Sequence, residues 1–99
     1  MSYFFNVAAR LELLEHVAYY EGRQLGLGAR YLASFEAAML KVCEAPHRHR
    51  IEFPPDIRRY RLKGFPYNVL YRQAGEDVEV LVIAPHRRRP GYWRGRFKS

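Results

Sequence analysis

The sequence has a single cysteine, no long apolar run and fewer acidic than basic residues. Because Cys43 is the only cysteine in 99 residues, an internal disulfide is excluded and a reducing compartment is expected. No apolar run approaches the roughly 20 residues that a membrane span needs. The start of the chain also lacks a charged segment followed by an apolar one. The sequence therefore predicts a cytoplasmic protein with no membrane partner.

Acidic side chains are outnumbered in the second half. Residues 47–99 carry 13 Arg and Lys against five acidic residues, whereas residues 1–46 carry four against five. The net charge of +7 is thus concentrated on one half, which predicts a polarised surface that attracts nucleic acid or an acidic protein. A hydrophobic content of 48% predicts a folded chain, and 99 residues allow one domain, residues 1–99.

Clusters typical of metal or cofactor sites are also lacking. His47 and His49 flank Arg48, and no Cys or carboxylate stands nearby at a metal-ligand spacing. Cys43 has no neighbouring His and is expected to lie in the core. We therefore predict no metal and no cofactor.

The first half has the periodicity of one strand followed by two helices. Residues 3–7 alternate as in a short strand, and Asn6 is placed to cap a helix that ends near Gly22. Gly26 and Gly28 then reverse the chain, and Pro46 ends the second helix. The expected buried faces are Val7, Leu11, Leu14 and Ala18 on the first helix and Leu32, Phe35, Met39, Val42 and Cys43 on the second.

The second half changes to the two-residue period of strands. Residues 47–56 are expected to form a polar loop, and strands are expected over residues 57–63, 67–72 and 78–84. The last strand is apolar on both faces except at Glu79, which predicts a central position in the sheet. The order β-α-α-β-β-β with short links predicts an α+β fold, in which an N-terminal strand and a helical hairpin pack on a small antiparallel β-sheet.

The segment 85–98 combines charge with aromatic side chains. It carries six cationic residues, no acidic residue, the only Trp and one of the four His. A solvated tail does not need Tyr92 and Trp93, and a core does not need six positive charges, so the segment is expected to dock onto an acidic partner. The alternative is a solvated basic terminus in which Trp93 only covers the sheet.

Five sequence phrases together resemble the RelE/ParE superfamily of toxins from type II toxin–antitoxin modules, most closely its ParE-like branch. The phrases span nearly the whole chain in the order of that family. They are Ala18-Tyr19-Tyr20-Glu21, Leu25-Gly26-Leu27-Gly28, Ile57-Arg58-Arg59-Tyr60, Phe65-Pro66-Tyr67-Asn68-Val69-Leu70-Tyr71-Arg72 and Arg88-Arg89-Pro90-Gly91-Tyr92-Trp93. The resemblance implies a toxin neutralised by an acidic, partly disordered antitoxin. It implies a target that is either DNA gyrase, in the ParE branch, or mRNA on the ribosome, in the RelE branch.

The two targets require different chemistry. A metal-free ribonuclease needs a general base, a general acid and several fixed cations. By resemblance to the RelE branch those residues are Arg59, Arg61, Lys63, Arg87 and Tyr92, and His86 stands beside them as a candidate proton carrier. Where that branch typically carries an Arg in the next strand, however, this chain has Asn68, and a neutral amide cannot offset phosphorane charge as a guanidinium does.

A gyrase inhibitor needs a complementary surface and no proton transfer. The expected target-binding residues are Arg87, Arg88, Arg89, Tyr92, Trp93 and Arg94, with aromatic anchors and cations that steer and pair. The sequence therefore favours a gyrase-directed, non-enzymatic toxin. A ribosome-dependent mRNA endonuclease, an inactive scaffold that only binds antitoxin, and a basic module that binds nucleic acid through phosphates remain the alternatives.

Overall fold

The structure is a computed structural model, and it describes residues 1–97. Two helices and five strands follow one another along the chain, and a short 3-10 helix ends the described part. The elements are β1 (Tyr3–Phe5), α1 (Val7–Arg23), α2 (Leu27–Glu44), β2 (Ile51–Phe53), β3 (Ile57–Arg61), β4 (Tyr67–Ala74), β5 (Asp77–Pro85) and the 3-10 helix Arg94–Phe97. No helix among the described residues is long and apolar enough to cross a membrane.

The strands form one sheet in the order β1-β5-β4-β3-β2. β3, β4 and β5 pair antiparallel, as expected, and β2 adds a further antiparallel strand beside β3. β1 pairs with β5 in parallel and makes the sheet mixed. β5 lies between β1 and β4, which confirms the central position expected for this apolar strand. The α+β class with a helical hairpin on the sheet is likewise confirmed.

The helical hairpin is shaped by local hydrogen bonds. The side chain of Asn6 accepts a bond from the backbone N–H of Ala9 at 2.9 Å, which is the expected cap of α1. Between the helices Gly26 adopts a φ of 87°, a conformation that favours glycine. The carboxylate of Glu21 then accepts from the backbone N–H groups of Gly26 and Gly28, at 2.9 and 3.0 Å. The reversal is therefore held by a side chain of the first helix.

Both faces of the sheet are covered. The helices cover one face, where Tyr31, Phe35 and Met39 of α2 pack with Val69 and Val80 of the sheet. The chain after β5 covers part of the other face, where Trp93 packs in a cluster with Leu70 and Leu81. Sheet residues on the two sides thus belong to two separate apolar clusters.

The sequence-based prediction of the buried face of α1 is wrong. Val7, Leu11 and Leu14 are 78%, 56% and 54% exposed, and Ala18 is exposed too. The helix is buried instead through Ala9 and Leu13, with the half-buried His16, Val17 and Tyr20 on the same side. Both sides of α1 carry apolar residues, so the periodicity did not identify the side that meets the sheet. On α2 the expected Phe35, Met39 and Val42 are buried, while Leu32 and Cys43 are only partly so.

The segment 47–56 is also more ordered than expected. Instead of a continuous loop it contains β2, an edge strand of three residues that pairs with β3. Ile51 and Phe53 flank Glu52 in an alternating pattern that is too short to stand out between polar neighbours. This extra strand brings Glu52 beside Arg59 of β3.

Candidate functional site

A cleft of about 410 Å³ opens on the helix-free face of the sheet. β3 and β4, the end of β5 and the chain that follows it enclose this basic cleft, with the apolar side chains of Leu70, Ala84 and Trp93 contributing to its lining. The remaining lining residues are Glu52, Arg59, Arg61, Asn68, Pro85, His86, Arg88, Arg89, Pro90 and Tyr92. The tertiary structure thus joins the basic strand face and the basic C-terminal segment in one site.

The basic cleft carries a strong excess of positive charge. Four arginines line it, and Glu52 is its only acidic residue. Nη1 of Arg59 lies 3.1 Å from Oε1 of Glu52, so the charge of this arginine is partly balanced. In the part of the chain that the structure describes, no carboxylate pairs with Arg61, Arg88 or Arg89. These three guanidinium groups can bind a phosphate or a carboxylate group.

Asn68 and His86 form a hydrogen-bonded pair in the cleft. Asn68 opens β4 opposite Ala84 near the end of β5, and His86 follows β5 directly. Nε2 of His86 lies 3.2 Å from Oδ1 of Asn68, and the hydrogen bond forms when Nε2 carries the ring proton, because an amide oxygen only accepts. Asn68 is therefore placed to orient an imidazole within the cleft.

Tyr92 forms a wall of the cleft together with Arg88. The guanidinium carbon of Arg88 lies 3.9 Å from the centroid of the Tyr92 ring, a cation–π contact. Burial raises the pKa of Tyr92, the charge of Glu12 adds to the rise, and Arg88 and Arg96 oppose it. The phenol therefore stays protonated at neutral pH and can donate a hydrogen bond to an anion.

Trp93 lies beneath the cleft. Its side chain is only 3% exposed, and its ring contacts Phe53 and Phe97 at centroid distances of 5.5 and 5.6 Å. The indole thus fixes the C-terminal segment to the sheet. Trp93 is therefore a buried residue of this apolar cluster and not an exposed anchor.

Three of the basic residues singled out from the sequence lie outside the basic cleft. Lys63 is on the helix side, where its carbonyl accepts from Oγ of Ser34 at 2.7 Å. Arg87 also lies apart, in a depression beside Tyr67. Arg94 places its guanidinium 5.5 Å from the ring centroid of Phe53. Lys98 of the basic segment is outside the described residues.

Sequence reasoning missed two acidic residues that organise this region. Glu52 was missed because the segment that carries it was expected to form a loop and not strand β2. Glu12 of α1 accepts from Arg96 at 2.8 Å and from the backbone N–H of Ile83 at 3.0 Å. Nothing in the sequence pairs two residues 84 positions apart. No group of three His, Cys, Asp or Glu within residues 1–97 is arranged to hold a metal ion.

The molecule thus combines a helical hairpin on a mixed five-stranded sheet with a basic cleft on the helix-free face. The family described as the ParE toxin of the type II toxin–antitoxin system parDE matches residues 3–90. The chain belongs to this family and is a type II toxin–antitoxin toxin with the ParE/RelE fold.

Solved structures of the same fold are similar over most of their length. The chromosomal ParDE toxin–antitoxin system from P. aeruginosa superposes with a TM-score of 0.67 at 18% identity, over 86% of this chain and 95% of that chain. The intact E. coli RelBE toxin–antitoxin complex gives 0.60 at 21% identity, over 88% and 98%. The isolated E. coli RelE toxin gives 0.60 at 20% identity, over 95% and 93%. No curated protein matches the chain significantly by sequence.

Proposed function

We propose that this toxin inhibits DNA gyrase by binding, without catalysing a reaction of its own. The observation that carries the proposal is the position of Asn68, whose amide lies in the basic cleft and accepts from His86. Membership of the ParE toxin family supports it independently.

The cleft is better suited to binding than to cleaving a phosphodiester. A metal-free ribonuclease must stabilise a pentavalent phosphorane with fixed cations and supply both a base and an acid. At Asn68 the cleft offers a neutral amide, and the charge of Arg59 is partly balanced by Glu52. Arg61, Arg88 and Arg89 keep their positive charge available for phosphates or carboxylates of a protein–DNA target.

The surface proposed to contact the target is the basic cleft with its neighbouring arginines. Arg88, Arg89 and Tyr92 line the cleft itself, while Arg87 adds positive charge around the end of the sheet and Arg94 beside Phe53. Trp93 is proposed to act from beneath by holding this segment in place, because its side chain is buried. The arginines supply steering and ion pairs, and the aromatic ring supplies contact area.

The decisive experiment compares two targets with one purified protein. Gyrase supercoiling and cleavage-complex accumulation are measured in parallel with mRNA cleavage on programmed ribosomes. We expect inhibited supercoiling, accumulated cleavage complexes and intact mRNA. We also expect that the double variant R88Q/R89Q weakens gyrase inhibition at least tenfold. R10Q/R72Q, which removes the same two positive charges at positions outside the basic cleft, should keep inhibition. Cut mRNA with untouched gyrase would refute the proposal.

The second candidate is a ribosome-dependent mRNA endonuclease, favoured by the convergence of Arg59, Arg61, His86 and Tyr92 in one cleft. The variant H86A separates the two candidates. A binding mechanism predicts less than a threefold change in gyrase inhibition, since no proton moves. Acid–base catalysis by the imidazole predicts loss of mRNA cleavage by two orders of magnitude or more. Normal growth on induction without antitoxin would indicate the third possibility, an inactive scaffold.

A cognate acidic antitoxin is the proposed partner of the exposed side of α1. Val7, Leu11 and Leu14 form an apolar stripe on the side of the helix that faces away from the sheet, and Phe4 of β1 is also exposed. An exposed apolar stripe of this kind is typical of a protein interaction site. Both the P. aeruginosa ParDE system and the E. coli RelBE complex are toxin–antitoxin systems. The net charge of +7 favours an acidic partner.

The antitoxin proposal is tested with the product of a short acidic open reading frame next to the toxin gene. We expect L11E and L14E each to raise the dissociation constant at least tenfold, because a carboxylate would be buried in an apolar interface. L40E is the matched control, since Leu40 is 71% exposed but lies on α2. Unchanged binding of L11E and L14E would place the antitoxin elsewhere.

A further inference from the structure

A second depression lies at the end of the sheet where β4 begins and β5 stops. Its volume is about 360 Å³, and it shares no lining residue with the basic cleft. It is lined by Tyr19, Tyr20, Arg23, Pro66, Tyr67 and Arg87. It lies on the helix side of the sheet, because Tyr20 and Tyr67 belong to the apolar cluster under the helices. We call it the tyrosine depression. Residues adjacent in sequence line different sites here: Asn68 and His86 line the basic cleft, whereas Tyr67 and Arg87 line the tyrosine depression.

The aromatic wall of the tyrosine depression is held in a fixed orientation. Tyr19 is half exposed and meets Tyr20 edge to face, with ring centroids 5.2 Å apart. Nη1 of Arg23 donates to the Tyr19 hydroxyl at 3.0 Å. Tyr20 in turn stacks on the buried Tyr31 at 5.3 Å. An exposed aromatic ring with this much support offers a flat, preorganised surface.

The polar groups of the depression are positive or neutral. Two arginines and no acidic residue line it. Within residues 1–97, no carboxylate pairs with Arg87 or Arg23. Burial raises the pKa of Tyr67, and the charge of Arg87 opposes the rise, which agrees with a guanidinium near that hydroxyl. The Tyr20 hydroxyl donates to that of Tyr67 at 3.4 Å, so the site combines cations, neutral phenols and ring surface.

We propose that the tyrosine depression binds one nucleotide of a single-stranded nucleic acid, with the base on Tyr19 and the phosphate on Arg87 and Arg23. Aromatic rings beside a positive track are how proteins bind single strands without sequence preference. Guanidinium groups bind phosphate oxygens through paired, charge-assisted hydrogen bonds. An acidic peptide would use the arginines but would have no group suited to the ring surface. The inference holds whether the toxin acts on gyrase or on mRNA.

The location suggests how the two sites work together. The basic cleft and the tyrosine depression lie on opposite faces of the sheet at the same end. The adjacent residues His86 and Arg87 line the cleft and the depression, respectively. A strand bound in both sites passes around this end of the sheet. The depression then adds stacking, which phosphate contacts in the cleft alone do not supply.

The test measures fluorescence anisotropy of a labelled 12-nucleotide oligothymidine and of an abasic strand of equal length, with the whole chain. The wild type is expected to bind the base-bearing strand at least fivefold more tightly. Y19L is expected to remove this preference, and R87Q to weaken both strands alike and reduce the salt dependence by about 0.7 in log–log slope. The controls F4L and R10Q remove an exposed ring and an exposed charge outside both sites and should behave as the wild type.

Several results would overturn the inference. They are absence of binding, equal binding of the two strands by the wild type, and a preference for bases that survives in Y19L. A fourth is a 12-residue polyglutamate that binds with the same dependence on Tyr19, which would make the site a protein-binding one. Because Tyr19 and Arg87 are exposed, both variants are expected to unfold at the wild-type urea concentration, so a loss of binding reports on the site itself.

Discussion

Arg96 and Glu12 together bind the backbone of β5 where this strand extends beyond β1. Nη1 of Arg96 lies 2.8 Å from Oε2 of Glu12, while Nη2 donates to the backbone carbonyl of Leu81 at 2.8 Å. The other carboxylate oxygen of Glu12 accepts from the backbone N–H of Ile83. β1 pairs with β5 only as far as Val80, so these two side chains bond backbone groups that no strand reaches. They also tie the C-terminal segment to α1.

Changing Glu12 separates its two roles. E12Q keeps an acceptor for the N–H of Ile83 but loses the ion pair, whereas E12A loses both. We expect E12A to lower the free energy of unfolding by about 2–3 kcal/mol and E12Q by about 1 kcal/mol. Urea unfolding provides the measurement, and a double-mutant cycle of E12Q with R96Q should give a coupling of at least about 0.5 kcal/mol. Additive effects of the two changes would show that the pair is not coupled.

Gly28 of α2 lies directly against the backbone of α1. A Cβ at this position would lie 2.7 Å from the carbonyl oxygen of Val17 and 3.0 Å from Cβ of Glu21. G28A is therefore expected to lower the free energy of unfolding by about 1–3 kcal/mol, because the backbones must move apart. G22A is the matched control, since its Cβ meets nothing within 4 Å and alanine favours the helix by up to about 1 kcal/mol. Equal effects of the two changes in urea unfolding would contradict the prediction.

Trp93 tests whether the C-terminal segment is part of the fold. Its removal leaves a cavity beside Leu70 and Leu81, so W93A is expected to lower the free energy of unfolding by about 3–5 kcal/mol. W93F should cost clearly less because it refills part of the space. Calorimetric or urea unfolding measures the difference in the free energy of unfolding. The toxicity of the variants should decrease in the same order as their stability. A fully stable W93A protein without toxicity would instead indicate direct contact of the indole with the target.

His16 is expected to make stability depend on pH. Its Nδ1 lies 2.7 Å from the buried Tyr31 hydroxyl, and its ring packs on Tyr67 at 4.4 Å. Burial lowers the pKa of His16 below the ordinary 6.5, and the charge of Glu15 opposes the shift only in part. The unfolded chain thus binds the proton more readily than the folded one, and stability falls as pH drops from about 6.5 to the lowered value.

Urea unfolding between pH 5 and 8 measures this dependence. The variant H16Q should show a smaller loss of stability on acidification than the wild type. Burial also lowers the pKa of His49, which leaves a residual loss of the same sign in H16Q and makes H49Q the matched comparison. A wild type whose stability does not change across this range would disprove the assignment.

Elements with strong local signals were predicted correctly from the sequence. Asn6 before an apolar run, glycines between the helices and the doubly apolar strand β5 each agree with the structure because their causes are local. The side on which α1 packs was not predictable, since Val7, Leu11 and Leu14 repeat as regularly as Ala9, Leu13 and Tyr20. Only the position of the sheet distinguishes the two stripes.

The residues that line the basic cleft were predicted in part. Arg59, Arg61, His86, Arg88, Arg89 and Tyr92 were singled out from the sequence, and all line one cleft. Their convergence depends on the pairing of β3 with β4 and on the return of the chain over the sheet after β5. Arg87 alternates to the opposite side from His86, a consequence of backbone geometry that residue type does not reveal. Glu52 reaches the cleft because its edge strand β2 pairs with β3, a contact between different segments of the chain.

The sequence by itself determined the class of fold, the family resemblance and the concentration of positive charge in one half, because these follow from residue type and local order. The tertiary structure decided which charges act together. It buried Trp93 under the basic cleft, turned Val7, Leu11 and Leu14 outward, and separated Arg87 from Arg88 and Arg89. The physical reason is that burial and proximity arise from contacts between segments far apart in the chain, such as Glu12 with Arg96.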